Sequence, residues 1–179
     1  MELFDIILKE IAGVLEQVDA KELDAALNCL DKKHRVFVDG EGRSGLMAKG
    51  FAMRLMHLGY TVYVVGETIT PALAKDDLFI GVSGSGTGAN VINDAAKARK
   101  SGCRLLAVTG KPGSPLAEAA DAVLCVPGTV KGDTGEDRGS IQLLSSLFDQ
   151  SLHLVLDTLC LMVSRRDATG NDTATGGHW

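Results

Sequence analysis

The chain has 179 residues, 45% of them hydrophobic and 23% charged, and a formal net charge of −5 at pH 7. That length bounds one domain with a proper core. The mild acidity excludes a basic nucleic-acid surface and any attraction to anionic membranes, so an anionic ligand has to be held by local groups.

In chain order, residues 2–18 place Leu3, Ile6, Ile7, Ile11, Val14, Leu15 and Val18 at helical spacing. The opening Met1-Glu2-Leu3-Phe4-Asp5 lacks the basic start of a secretory signal. A second helix is predicted over Lys21–Lys32, with Asp19 as its N-cap. Strand-like runs follow at 35–39, 61–65, 78–82, 104–108 and 122–126, with helical runs at 45–58, 88–101 and 114–120 and a shorter turn near 71–75. The strands are nearly continuous apolar runs, as expected when both faces of a sheet are covered. Alternation of β and α segments predicts a three-layer α/β sandwich around a five-stranded parallel sheet. Pro127–Gly139 is turn-rich and reads as a surface excursion or a lid. Leu143–Val163 is long and apolar, but Asp149, His153 and Asp157 put a polar stripe on one helical face, which is costly in lipid. One domain spanning 1–179 results: N-terminal helices to 33, an α/β core over 34–165 and a flexible polar tail over 166–179. Cys29, Cys103, Cys125 and Cys160 are far apart and form no Cys-x-x-Cys pair. They read as buried free thiols of a cytoplasmic protein rather than disulfides or metal ligands.

Two turns carry the chemistry. Ser83-Gly84-Ser85-Gly86-Thr87-Gly88 follows the third strand and precedes a helix, and Gly40-Glu41-Gly42-Arg43-Ser44-Gly45 does the same after the first. Glycines let backbone N–H groups converge, hydroxyls add donors, and a helix N-terminus adds positive potential, so each turn suits an anion. Glycines alone would explain tight turns, but three hydroxyls between them exceed what turning requires. The first turn also fits the dinucleotide fingerprint, with Glu67 placed as a ribose-binding acid. A second hydroxyl-rich turn and a short chain favour a small sugar phosphate instead. Candidate phosphate ligands are Gly42, Arg43, Ser44, Ser83, Gly84, Ser85 and Thr87.

Four further residues are candidates for proton transfer. Glu67 follows a strand C-terminus, where open parallel sheets place ligands. Asp149, inside an apolar helix, needs a partner or a cleft. His57 lies near a helix C-terminus, where a structural role is common, and His178 sits near the end of the chain.

Gly40-x-Gly42-Arg43-Ser44-Gly45, Phe51–Gly59, Val65-Gly66-Glu67-Thr68-x-Thr70-Pro71 and Ser83-Gly84-Ser85-Gly86 together resemble 6-phospho-3-hexuloisomerases, in the SIS (sugar isomerase) domain superfamily. The resemblance runs to about residue 165. It implies a flavodoxin-like parallel sheet, homo-oligomers (dimers or tetramers) with sites near subunit contacts, no cofactor or metal, and interconversion of 3-hexulose 6-phosphate with fructose 6-phosphate. By position it implies that Ser44, Ser83 and Ser85 bind phosphate, with Arg43 in the same turn, and that His57 and Glu67 line the sugar site. The chain departs from the family at Gly88, where a threonine is usual, and at Asp149, where a glutamate is usual. The closing His-Ala-Asn-Leu-Glu is absent, with only His178 matching its histidine. The base is Glu67 or Asp149, and His57 or His178 relays protons or opens the ring. A non-catalytic phosphosugar sensor, or an isomerase for another sugar phosphate, is the alternative.

Overall fold

The computed structural model describes residues 2–178. Five parallel strands, β1 (Val36–Gly40), β2 (Val62–Val64), β3 (Leu78–Ser83), β4 (Arg104–Thr109) and β5 (Ala122–Cys125), form one sheet in the order β2-β1-β3-β4-β5. The helices are α1 (Glu2–Leu15), α2 (Ala20–Cys29), α3 (Gly42–His57), α4 (Ala89–Lys100), α5 (Pro115–Ala119), α6 (Ser146–Arg166) and α7 (Asn171–Gly176).

Strand side chains alternate between two cores, which is why both faces had to be apolar. Val36, Val38, Leu78, Ile80, Val82, Leu106 and Val108 face α2, α3 and α6, where Phe51, Leu55, Phe148, Leu152 and Leu159 complete the larger core. Phe37, Phe79, Leu105 and Ala107 face α4 and α5, packing on Val91, Ala95 and Leu116. Asp19 caps α2 as expected, accepting from the Lys21 N–H at 2.8 Å. In the segment near 71–75 no regular element forms over 71–74, and the turn falls at 75–76.

Strand order decides where a ligand can sit. β1 leads outward to β2, whereas β3 lies on the other side of β1, so the chain reverses direction across the sheet between β1 and β3. Their connections to α3 and α4 therefore diverge and leave a crevice at the strands' C-terminal ends. Gly40 and Val82, at those ends, are register partners. Both hydroxyl-bearing turns open onto this crevice. The arrangement is not the 3-2-1-4-5-6 order of the dinucleotide fold.

Two stretches differ from their sequence reading. The polar tail carries α7, which packs on α3. Its Asn-Asp-Thr-Ala-Thr-Gly sequence has little helix propensity, so packing decides, with Gly177 close against the His57 backbone. Trp179 lies outside the described residues. The 127–145 segment is strapped down: the Glu10 carboxylate accepts from Ser140 Oγ at 2.7 Å, the Ile141 N–H at 2.9 Å and Gln142 Nε2 at 2.9 Å, and Lys111 pairs with Asp133 at 2.8 Å. α6 is long and apolar enough to cross a membrane, yet Leu147, Phe148, Leu152, Val155, Leu156, Leu159 and Val163 are core residues. The cysteines are free thiols.

Candidate active site

A cavity of about 160 Å³ lies in the β1/β3 crevice, with Glu41, Ser44, Ser83, Ser85, Gly88, Lys131 and Ser145 among its walls. α3 and α4 both begin here, and neither N-terminus has a side-chain cap. Their first-turn N–H groups have no intrahelical partner and point toward the cavity with the positive ends of both dipoles. α3 starts so abruptly because Gly42 adopts φ +57. A methyl group at Gly45 would overlap the Gly40 carbonyl, so only glycine lets the helix leave the strand this closely.

The second turn is held by its own hydroxyls. Ser83 Oγ accepts from the Gly86 N–H at 3.2 Å, and Ser85 Oγ accepts from the Thr87 N–H at 3.3 Å. Ser83 therefore keeps its proton for a ligand. Ser85 and Thr87 share one hydrogen bond of 2.8 Å, which places Thr87 behind Ser85 and outside the cavity walls. Gly84 is packed from below, where a Cβ would lie 2.9 Å from Val130 Cγ1 and 3.0 Å from Phe148 Cδ1.

Ser44 connects the cavity to a buried acid. Its hydroxyl donates to Asp149 Oδ1 at 2.7 Å. Asp149 is 1% exposed, and burial raises its pKa against the opposing effects of Ser44 and Arg43. Because a hydroxyl has one proton, Ser44 cannot give that proton to a phosphate at the same time. Arg43 is also drawn to this acid: Nε lies 3.7 Å from Asp149 Oδ2, and Nη1 donates to Ser146 Oγ at 2.7 Å. The guanidinium thus lies outside the cavity walls, contrary to the phosphate contact read from its place in the turn. Asp149 and Arg43 instead line an adjoining groove of about 280 Å³ with Met47, Gln150 and His153.

The chain is similar to known proteins in sequence and in fold. The SIS domain family model matches residues 29–132. The 3-hexulose-6-phosphate isomerase of Bacillus subtilis (strain 168) is 37% identical over 172 residues, covering 96% of this chain and 93% of that protein. The 3-hexulose-6-phosphate isomerase of Mycobacterium gastri is 42% identical over 154 residues, 86% of this chain and 77% of that protein. The chain belongs to the SIS domain family. Among solved structures, a Methanococcus jannaschii protein described as inferring a 3-hexulose-6-phosphate isomerase function superposes with a TM-score of 0.83 at 28% identity, covering 100% of this chain and 98% of that one.

In this SIS domain the remaining sequence candidates lie apart from the cavity. Glu67 follows β2, is half exposed, and pairs with Lys49 at 3.5 Å. His57 ends α3, thirteen residues after Ser44, which is about 20 Å along a helix axis at ~1.5 Å per residue. Its ring stacks on His178, with centroids 5.2 Å apart. Burial lowers the His57 pKa, and Arg54 and His178 push in the same direction. The sequence reading missed Glu41, Lys131 and Ser145 as walls of the cavity. Glu41 was visible inside the first turn, between Gly40 and Gly42. Lys131 and Ser145 come from the strapped segment, and only the fold brings them here: Ser145 Oγ accepts from the Lys131 N–H at 2.9 Å, just after Leu144 takes the left-handed φ of +51.

Proposed function

We propose that this SIS domain is a sugar-phosphate isomerase that interconverts 3-hexulose 6-phosphate and fructose 6-phosphate through a 2,3-enediol(ate). The observation that carries the reading is the Ser44–Asp149 hydrogen bond, which joins an anion cradle to a buried carboxylate. The cradle supplies Ser83, Ser85 and two helix N-termini to the phosphate, which holds the sugar chain in register. A base takes the proton from C2 of the 3-keto sugar, the C2–C3 enediolate forms, and a proton returned to C3 leaves the carbonyl at C2. Protons and electrons balance within the sugar, so the reaction as written calls for no redox partner.

Asp149 fits the base better than Glu67. It adjoins the cradle, and burial raises its affinity for a proton toward the range where a carboxylate abstracts one effectively. Glu67 is half exposed and engaged by Lys49. The names of the Bacillus subtilis and Mycobacterium gastri relatives support this choice of substrate.

The same reading includes a homo-oligomer. Leu3, Phe4 and Leu8 on α1, Leu46, Met53 and Met56 on α3, and Leu154 and Leu161 on α6 are exposed, and large apolar side chains left at the surface support an interface between copies. Light scattering at micromolar concentration is expected to give a dimer or tetramer. The catalytic test is fructose 6-phosphate in deuterated water. Exchange of deuterium into the sugar supports the isomerase, whereas saturable binding without exchange would make the chain a phosphosugar sensor.

A further inference from the structure

The cradle contains a charge that a phosphate site does not need. Glu41, the N-cap of α3, makes no cap bond to its own helix. Its Oε1 instead accepts from Asn90 Nδ2 on the first turn of α4. A methyl group built on Gly88 would lie 3.4 Å from Glu41 Oε2 and 3.5 Å from Ser83 Oγ. The carboxylate and the Ser83 hydroxyl therefore both border the bare space that Gly88 leaves, within a cavity of about 160 Å³. From there it bridges the starts of the two helices whose N–H groups attract an anion.

Resting on the phosphosugar reading, we propose that Glu41, held by Asn90, is a charge gate on the cradle. Its carboxylate takes the anion's place when the cradle is empty, and a phosphoryl group enters by displacing it. Gly88 leaves this space open: a methyl group there would only touch the carboxylate, at 3.4 Å, and a longer side chain would have to share the space with it. Asn90 makes it a latch, because its amide holds the carboxylate across the opening. A dianion arriving in the cradle meets this like charge at short range. The cost of displacing the carboxylate therefore falls on every phosphorylated ligand and not on an uncharged sugar.

The experiment is calorimetry and stopped-flow binding of inorganic phosphate, fructose 6-phosphate and fructose to the wild type, Glu41→Gln, Glu41→Ala and Asn90→Ala. Glu41→Gln keeps the shape and removes the charge. It is expected to bind inorganic phosphate and fructose 6-phosphate about tenfold more tightly, an equivalent of about 1.4 kcal/mol, with no change for uncharged fructose. Asn90→Ala frees the latch and is expected to raise the association rate of both phosphates. Glu41 is exposed and caps nothing, so the melting temperature of all three variants should stay near that of the wild type. Should one variant misfold, the isosteric Glu41→Gln decides alone. Phosphate binding that is unchanged or weaker in the Glu41 variants, while the wild type binds, overturns the gate and leaves the phosphosugar reading standing. Absence of phosphate and fructose 6-phosphate binding in every protein overturns both.

Discussion

Replacing Asp149 by asparagine separates chemistry from stability at the site. The acid is 1% exposed and accepts the Ser44 hydroxyl at 2.7 Å. A hydrogen bond to a charged group contributes about 1.5–3 kcal/mol. Its ion pair with Arg43 adds under ~1 kcal/mol, since the guanidinium is half exposed at 3.7 Å. Against these stands the cost of burying the carboxylate, which dominates and raises its pKa. An asparagine keeps a neutral bond from Ser44 through its carbonyl oxygen, about 1 kcal/mol, and removes the desolvation cost. Unfolding by urea at pH 7.5 should therefore show Asp149→Asn as stable as the wild type or slightly more so. Turnover should fall by about 10²–10⁴, the usual contribution of a positioned base, which is roughly 3–5 kcal/mol of barrier. The assay is deuterium wash-in to fructose 6-phosphate together with direct conversion. In the wild type the acid limb of kcat/KM should report Asp149: activity is lost as pH falls through its raised pKa, because the base must be ionised. Ser44→Ala removes the bond that lowers that pKa, so the limb should move to higher pH. Asp149→Glu adds a methylene to a filled site, an overpacking of about 1–3 kcal/mol. Asp149→Asn with more than about a tenth of wild-type turnover would refute Asp149 as the base.

Three further outcomes follow from the geometry. Ser83→Ala and Ser85→Ala should each weaken fructose 6-phosphate binding about tenfold or more by calorimetry, with little change in melting temperature, because the Gly86 N–H retains the Ser83 carbonyl at 3.1 Å. Gly45→Ala should cost several kcal/mol in urea unfolding, on the order of 3 or more, because its methyl meets backbone rather than a movable side chain. Asp39, 7% exposed and with Oδ2 unpartnered among the described residues, has its pKa pushed up to about 6, chiefly by burial and then by Asp94. A raised folded pKa favours the protonated fold, so the contribution of Asp39 to stability should decline as pH rises from about 4 to 6, by up to ~3 kcal/mol. Read as the difference between the wild type and Asp39→Asn, that change should appear across the window, and a difference that stays constant would contradict the assignment.

The fold was legible because its signals are local and repeated. Each strand is a short apolar run bounded by turn residues, and each predicted strand and main helix is present within a few residues of its expected ends. The two hydroxyl-bearing turns were legible for the same reason: in each, glycine and serine sit together in a short run of sequence, and both turns line the one cavity. Proximity between distant segments was not legible. Ser44 and Asp149 are 105 residues apart in sequence, so nothing in the first turn shows that its hydroxyl belongs to a carboxylate. Arg43 was assigned to phosphate by adjacency alone, and the buried acid on α6 draws it away. Lys131 and Ser145 enter through a segment whose path depends on the Glu10 strap. The α7 helix has no propensity signal and exists through its contacts with α3.

The separation along α3 sets the last test. Ser44 and His57 are held about 20 Å apart by one rigid helix, and a histidine side chain spans only a fraction of that distance. Within one chain, the His57–His178 pair therefore cannot reach a sugar anchored in its own cradle. If these histidines move protons during isomerisation, they act on the cradle of a second copy, which the apolar faces of α1, α3 and α6 make possible. Two separately inactive proteins should then complement each other. Asp149→Asn supplies intact histidines with a dead base, and His57→Ala supplies the reverse. Dissociated, mixed and reassembled in equal amounts, random dimers are half heterodimer, and each heterodimer carries one site with both residues intact. About a quarter of wild-type sites should therefore recover, read by deuterium wash-in. Full activity in His57→Ala alone would assign the histidine stack to holding α7 against α3. A His57→Ala protein that is inactive, and stays so in the mixture despite confirmed subunit exchange, would show that the loss arises within its own chain, and the shared-site reading would fail.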